Sequence, residues 1–219
     1  MNIAIDGPAG AGKSTIAKKL AKEMGFIYVD TGAMYRAMAL YFLKQNLDSS
    51  NETEISAAAQ AIDISICYQN GEQQVILNGE NVTGEIRNEE VGNMASSTSV
   101  YPSVRKKLTS LQQKLADSTN VIMDGRDIGT CVLPNAEVKV YLTASVTARA
   151  KRRYDELQEK GEECSLEAIQ TDIEERDYRD MHRDISPLKQ AKDAILLDSS
   201  NLTIAQTAEA IQKICQERM

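Results

Sequence analysis

Met1 to Thr15 reads MNIAIDGPAGAGKST, and the reading of this stretch decides the fold. A short apolar run, Ile3-Ala4-Ile5, stops at Asp6 and gives way to Gly7-Pro8-Ala9-Gly10-Ala11-Gly12-Lys13-Ser14, a G-x-x-x-x-G-K-S pattern. A loop with so little side-chain bulk lets successive backbone N–H groups curl around phosphate oxygens, while the following helix presents its positive end to the same anion. In that arrangement Lys13 reaches the β- and γ-phosphates and Ser14 holds Mg²⁺. With Gly near 7% of average composition, the pattern should arise by accident in roughly one chain in a hundred of this length. Its context narrows the odds further, because a strand-like run precedes it and Ile16 to Met24, apolar at helical spacing, follows. Triphosphate binding by residues Gly7 to Thr15, Gly10, Ala11, Gly12 and Lys13 among them, is the organising expectation.

The bulk numbers bound the rest. A chain of 219 residues buries a sizeable core and suits one domain with insertions. Its 42% hydrophobic and 26% charged residues are ordinary for a globular protein, and no run approaches the roughly 18 apolar residues of a membrane span. The N-terminus enters the nucleotide loop directly, without a basic start or a small-residue cleavage site, so a cytoplasmic protein with no membrane partner is expected. Cys67, Cys131, Cys164 and Cys215 are scattered, form no C-x-x-C pair and have one histidine, His182, for company. They read as reduced structural thiols. A net charge of −7 argues against a nucleic-acid face. An anionic substrate then requires positive charge concentrated locally.

Along the chain, Phe26 to Val29 reads as a second strand, and Asp30-Thr31-Gly32 opens a helix to Gln45 with Met34, Ala37, Met38, Tyr41 and Phe42 in one apolar stripe. Arg36 sits beside that stripe. Asn51 with Glu54 makes a capping box for a helix to about Ala61. Ile62 to Tyr68 then alternates strictly, and Asn70-Gly71 and Asn78-Gly79 turn the chain into a small antiparallel meander ending near Val82. It reads as an insertion. Glu85 to Thr98 and Pro102 to Ala116 read as helices, with Ser96, Ser97, Thr98 and Ser99 crowded into a polar joint.

Asn120 to Met123 is a second landmark, an apolar run that ends in Asp124-Gly125-Arg126-Asp127-Ile128-Gly129. A carboxylate at the end of the strand neighbouring a phosphate loop sits opposite the loop serine and helps hold Mg²⁺, which gives Asp124 that role. Ala136 to Ala144 and Ala194 to Asp198 are further strands, and Thr203 with Gln206 caps a final helix to Met219. Five apolar strands alternating with helices predict a parallel sheet with ligands at its carboxyl ends. Between the last two strands, Ser145 to His182 reads as two charged helices joined at Lys160 to Glu163. Arg149, Arg152 and Arg153 share one helical face by spacing, and so do Arg176, Arg179 and Arg183, with Asp180 four beyond Arg176. Two readings of these stripes are open: solvated faces laced with ion pairs, or a lid that closes over phosphates with bidentate arginines.

DTGAMYR at Asp30 to Arg36, DGRDIGT at Asp124 to Thr130 and ERDYRDMHR at Glu175 to Arg183, together with the meander, closely resemble the bacterial-type cytidylate kinases. These belong to the P-loop nucleoside monophosphate kinases, and the resemblance runs nearly end to end. It implies a three-layer α/β P-loop fold with a five-stranded parallel sheet, a small antiparallel β insert in the acceptor-binding region and a helical lid. It also implies a single domain over residues 1–219, with a core at about 1–30, 100–145 and 190–219, an acceptor region at about 31–99 and a lid at about 149–183. The implied reaction is transfer of the γ-phosphoryl of ATP to CMP or dCMP with Mg²⁺; a monomer is expected, though nothing in the sequence fixes the oligomeric state. Carried over by motif, Arg36 and Arg126 hold the acceptor phosphate. Thr31, Arg105, Asp127 and Arg183 meet the cytosine; Ser96, Arg176 and Asp180 meet the sugar, with Ser97 and Ser99 as adjacent candidates. Lys13, Arg126 and Asp124 are the expected catalytic groups, Ser14 and Asp124 the metal ligands, and Arg149 and Arg153 the lid arginines on ATP. Rival expectations are a kinase of the same fold acting on UMP, AMP or a sugar, and a GTP-binding switch. The switch wants an N-K-x-D guanine signature, which the sequence lacks.

Overall fold

The first strand, β1 (Asn2–Asp6), is apolar without alternation, the pattern of a strand covered on both faces. A computed structural model of the protein, describing residues 1–218, places β1 between β6 (Val121–Gly125) and β7 (Val138–Thr143) and parallel to both. The whole sheet has five strands in the order β2 (Ile27–Asp30), β6, β1, β7, β8 (Ile195–Asp198), which is the expected α/β sheet. Because β6 separates the successive strands β1 and β2, the carboxyl ends of β1 and β6 lie side by side, with Ile5 opposite Asp124 and Asp6 opposite Gly125. Such a reversal of strand order is where ligands bind in open α/β sheets.

The described residues form two compact units, one built from residues 1–28 and from 119 onward, the other from 29–118. In the first unit, α1 (Lys13–Met24) and α8 (Ile204–Gln216) bury Ile16, Leu20, Ile211 and Cys215 in one core with Ile3, Ile5, Ile122 and Val140. The Thr203–Gln206 capping box closes the start of α8 in both directions. The helix ends at Gln216, and Met219, where the sequence reading ended it, lies outside the described residues. The charged helical pair is α6 (Val146–Glu159) and α7 (Leu166–His182), each started by a serine, Ser145 and Ser165, that accepts from a backbone N–H in the first turn. The joint therefore runs on to Ser165, beyond the Glu163 that charge alone suggested.

The second unit holds α2 (Thr31–Lys44), α3 (Glu52–Ala61), the meander strands β3 (Ile64–Gln69), β4 (Glu72–Leu77) and β5 (Glu80–Asn81), α4 (Glu89–Thr98) and α5 (Pro102–Ser118). Both meander turns are made by Asn-Gly pairs in which each residue has positive φ, 55° and 80° at Asn70-Gly71 and 49° and 86° at Asn78-Gly79. Turns of that hand match the twist of the flanking strands. The insert has no core of its own: Ile64, Val75 and Leu77 are buried with Met34, Met38 and Phe42 of α2. The methionines of α2 are thus packing residues, as their helical spacing suggested. Helix α4 begins at Glu89, later than Glu85, because the Asn88 side chain accepts from Val91 N–H and fixes the start there. Among the described residues no helix is long and apolar enough to cross a membrane.

Candidate functional site

The phosphate loop starts where β1 ends. Gly7 has φ +151°, and a Cβ there would lie 1.9 Å from the Leu142 carbonyl oxygen, so only glycine lets the loop leave the sheet so close to β7. No side chain caps α1, which leaves its first backbone N–H groups to a ligand. Lys13 is buried and donates to Pro8 O (2.7 Å) across the loop. Burial, then the Arg126 guanidinium, pushes its ammonium below the usual lysine range, against the opposing pull of Asp124, Asp180 and Asp6. Ser14 Oγ donates to Asp124 Oδ2 (2.8 Å), which brings together the two motifs predicted to share Mg²⁺. Tyr28 donates its hydroxyl to the other oxygen, Asp124 Oδ1, also at 2.8 Å. A serine hydroxyl beside one oriented carboxylate is a hard-oxygen set that suits Mg²⁺, which keeps most of its shell in water and phosphate oxygens. Among the described residues no group of three or more His, Cys, Asp or Glu is placed to hold a metal ion.

Beyond Asp124 the chain makes a single wide turn, Ile128–Val132, in which Val132 N–H donates to Asp127 O and Leu133 N–H to Ile128 O, five residues back in each case. Turns of this width are uncommon and cluster at functional sites. Asp6, the last residue of β1, holds its start: the two carboxylate oxygens accept from the consecutive N–H groups of Ile128 and Gly129, both at 2.7 Å. Asp6 is buried, and burial pushes its carboxyl up to about 6 although both N–H bonds pull it down. The turn presents Arg126 and Asp127 to α7. Arg126 Nε donates to Asp180 Oδ2 (2.8 Å), while Arg183 lies 3.7 Å from Asp180 and 3.9 Å from Asp127. For Arg126, burial lowers the pKa, but Asp180, Asp124 and Asp177 outweigh it and hold the guanidinium above its usual value. For Asp180, burial raises the pKa, but Arg126, Arg176 and Arg183 outweigh it and hold the carboxyl below the usual range.

The arginines of α6 do not act as one stripe. Arg149 is buried and donates to Ala144 O (2.9 Å), to Ala9 O in the phosphate loop (2.9 Å) and to Asp177 Oδ2 (2.6 Å). Arg152 turns to Ser199, and Arg153 pairs with Glu156 in the open. On α7, Arg176, Asp177 and Asp180 are covered, whereas Arg179 is exposed. His182 stacks on the exposed Tyr178 ring, 4.0 Å between centroids, and its Nδ1 lies 2.8 Å from Tyr178 O.

The candidates of the second unit form their own group. Asp30 caps α2, accepting from Ala33 N–H (2.9 Å) and from Arg87 (2.6 Å), and Thr31 is buried in the first turn. The Arg36 side chain runs past Gly32 and past Gly92 of α4, neither of which carries a side chain of its own. Arg105 is buried, donates to Ser99 O (2.9 Å) and lies 5.6 Å from the Tyr35 ring centroid. The three serines separate clearly. Ser97 is exposed, Ser99 Oγ donates to Ser96 O, and Ser96 Oγ is buried with no hydrogen-bond partner.

Two residues beside the phosphate loop escaped the sequence reading. Asp6 read as the end of one strand and Tyr28 as an ordinary residue of the next, and only the placing of β6 between β1 and β2 gives them their partners. The one available signal was a carboxylate closing an otherwise apolar strand immediately before the loop.

The family model described as cytidylate kinase matches residues 3–217. A cytidylate kinase of Ligilactobacillus salivarius is 50% identical over 218 residues, covering 100% of this chain and 97% of the relative. One of Caldicellulosiruptor saccharolyticus is 51% identical over 216 residues, covering 99% and 94%. Among solved structures, a shikimate kinase from Bacteroides thetaiotaomicron superposes with a TM-score of 0.51 at 12% identity, covering 99% of this chain and 98% of that one. At that identity the likeness is one of fold.

Proposed function

The chain belongs to the cytidylate kinase family, and from that premise we propose that it transfers the γ-phosphoryl group of ATP to CMP or dCMP, giving ADP and CDP or dCDP. The observation that carries this reading is the meeting of two motifs far apart in sequence, Ser14 Oγ and Asp124 Oδ2, at 2.8 Å beside the phosphate loop. Gly7 to Thr15 cradle the triphosphate, and Arg149 and Arg153 belong to the donor side of a helical lid over 149–183. Ser14 and Asp124 hold Mg²⁺, with Tyr28 fixing the carboxylate. When bound, the ion neutralises charge on the phosphate oxygens. Phosphoryl transfer asks little covalent work of the protein, so positioning and neutralisation supply the rate. Lys13 and Arg126 do the latter. An incoming phosphate favours the charged form of Lys13 by adding to the negative neighbours that oppose its burial.

For the acceptor, Arg36 and Arg126 hold the phosphate of CMP. Thr31, Arg105, Asp127 and Arg183 meet the base, and Ser96, Arg176 and Asp180 the sugar. The unpaired Ser96 hydroxyl supports that residue over Ser97 and Ser99. Cytosine offers an N4 amino donor to the Asp127 carboxylate, whereas uracil offers O4, which the carboxylate repels. The protein acts in this reading as a cytoplasmic monomer without nucleic-acid or membrane partners.

The test is an ADP-release assay with Mg²⁺ against CMP, dCMP, UMP, AMP and gluconate. CMP and dCMP are expected to drive ADP release and the others not. Release driven by gluconate or AMP instead would transfer the assignment to another kinase of this fold.

A further inference from the structure

By the two-residue period of a strand, β4 carries Gln73, Val75 and Leu77 on one face. Val75 and Leu77 are buried in the core that Met38 and Phe42 of α2 also enter. Gln73, at the start of the same row, is half-buried and reaches the residue that caps α2. Its amide meets the main chain there twice: Asp30 N–H donates to Gln73 Oε1 (2.8 Å), and Gln73 Nε2 donates to Asp30 O (3.3 Å). The Asp30 carboxylate is already committed, one oxygen to Ala33 N–H and the other to Arg87. Backbone groups at a point where strand becomes helix need partners, and a side chain of the insert supplies them.

We propose that Gln73 is a positioning residue for the acceptor: through this amide the β insert fixes the segment from Asp30 to Arg36, and with it the Thr31 hydroxyl and the Arg36 guanidinium. The inference rests on the reading of Thr31 and Arg36 as CMP-binding residues. The chemistry of the contact restricts what can replace it. A primary amide accepts and donates side by side, as the paired N–H and C=O of one residue require. Asparagine is one methylene too short for the same reach, and a glutamate would set an oxygen against Asp30 O. The helix start does not depend on the contact, because Asp30 caps it and Arg87 holds the cap. What Gln73 adds is the place of that start along the β4 row.

The experiment uses the full chain with Gln73→Leu, which keeps bulk and removes both hydrogen bonds, and with Gln73→Asn as a second, milder variant. Amide exchange is followed at Asp30 and at the β3–β4 ladder, and steady-state constants are taken for CMP and ATP. The expected result is Asp30 exchange at least about tenfold faster with the ladder unchanged, a CMP KM about five- to tenfold higher, and kcat and ATP KM within about twofold of the parent. Unchanged Asp30 exchange, or CMP and ATP KM rising together, overturns the proposal. Arg36→Ala runs alongside. A raised CMP KM in Arg36→Ala beside a silent Gln73→Leu sinks this proposal alone, whereas an unchanged CMP KM in Arg36→Ala sinks the acceptor reading and the proposal with it.

Discussion

Asp6 offers the sharpest quantitative consequence of the structure. Its carboxyl is pushed from 3.8 up to about 6 by burial, with the Ile128 and Gly129 N–H bonds recovering only part of the cost. The folded state therefore holds this proton more tightly than the unfolded chain. The stabilisation is complete below pH 3.8 and is lost as pH rises through about 6. A proton held tighter by roughly a hundredfold in affinity is worth about 3 kcal/mol. Replacing Asp6 by Asn removes the titration, and with it this slope. The amide oxygen still accepts one of the two N–H groups, but the amide nitrogen faces the other, which costs about 1–3 kcal/mol at every pH. Urea unfolding of both proteins at steps from about pH 3 to 8 brackets the titration and measures the result. The stability difference, parent minus Asp6→Asn, should shrink by up to about 3 kcal/mol as pH rises across that window. A difference that stays level refutes the argument, because it means that Asp6 ionises as freely in the fold as in the open chain.

Three further outcomes follow from the same site. Asp124→Asn should lower kcat/KM for ATP by roughly 10²- to 10³-fold and shift half-saturation by Mg²⁺ upward; initial rates over a Mg²⁺ titration decide it, and an unshifted titration removes Asp124 from the metal. Asp127→Asn should narrow the ratio of CMP to UMP turnover by roughly 100-fold or more while lowering CMP turnover less; steady-state rates with both acceptors test this, and an unchanged ratio takes Asp127 out of the base site. Arg149→Met strands the buried Asp177 carboxylate and the Ala9 and Ala144 carbonyls, so unfolding free energy should fall by about 3–5 kcal/mol, with Asp177→Asn recovering part of it. A loss below about 1 kcal/mol, the range of a surface pair, would show the clamp to be solvated.

The features legible in the sequence are those whose cause is local. The loop from Gly7 to Ser14 declares itself because φ and bulk constraints act within a few residues, and the Asn-Gly turns and the Thr203–Gln206 box do so for the same reason. The α2 stripe is legible through its 3.6-residue period, and Met34 and Met38 are buried as that period requires. The arginine stripes left two readings open because spacing fixes a face and says nothing about what covers it. Arg149, Arg152 and Arg153 share a helix, yet they answer to Asp177, Ser199 and Glu156 in turn. Asp6 and Tyr28 stayed hidden because strand register supplies their partners, and Ile5 opposite Asp124 is a pairing across more than half the chain.

That difference bears on how an acidic protein manages anionic substrates. With a net charge of −7, three arginines of the first unit stand among carboxylates and not on an open basic surface. Arg126 is held by Asp180, Arg149 by Asp177, and Arg183 stands between Asp180 and Asp127. Each carboxylate reduces the field its arginine projects. It also fixes a guanidinium that would otherwise lose rotamer entropy on meeting a ligand. Asp180 is the shared member, with Arg126, Arg176 and Arg183 all acting on it. In the proposed reading an incoming phosphate or ribose competes for cations that are already in place, so the network gives up attraction at a distance for geometry at contact, which is what a positional mechanism of phosphoryl transfer requires.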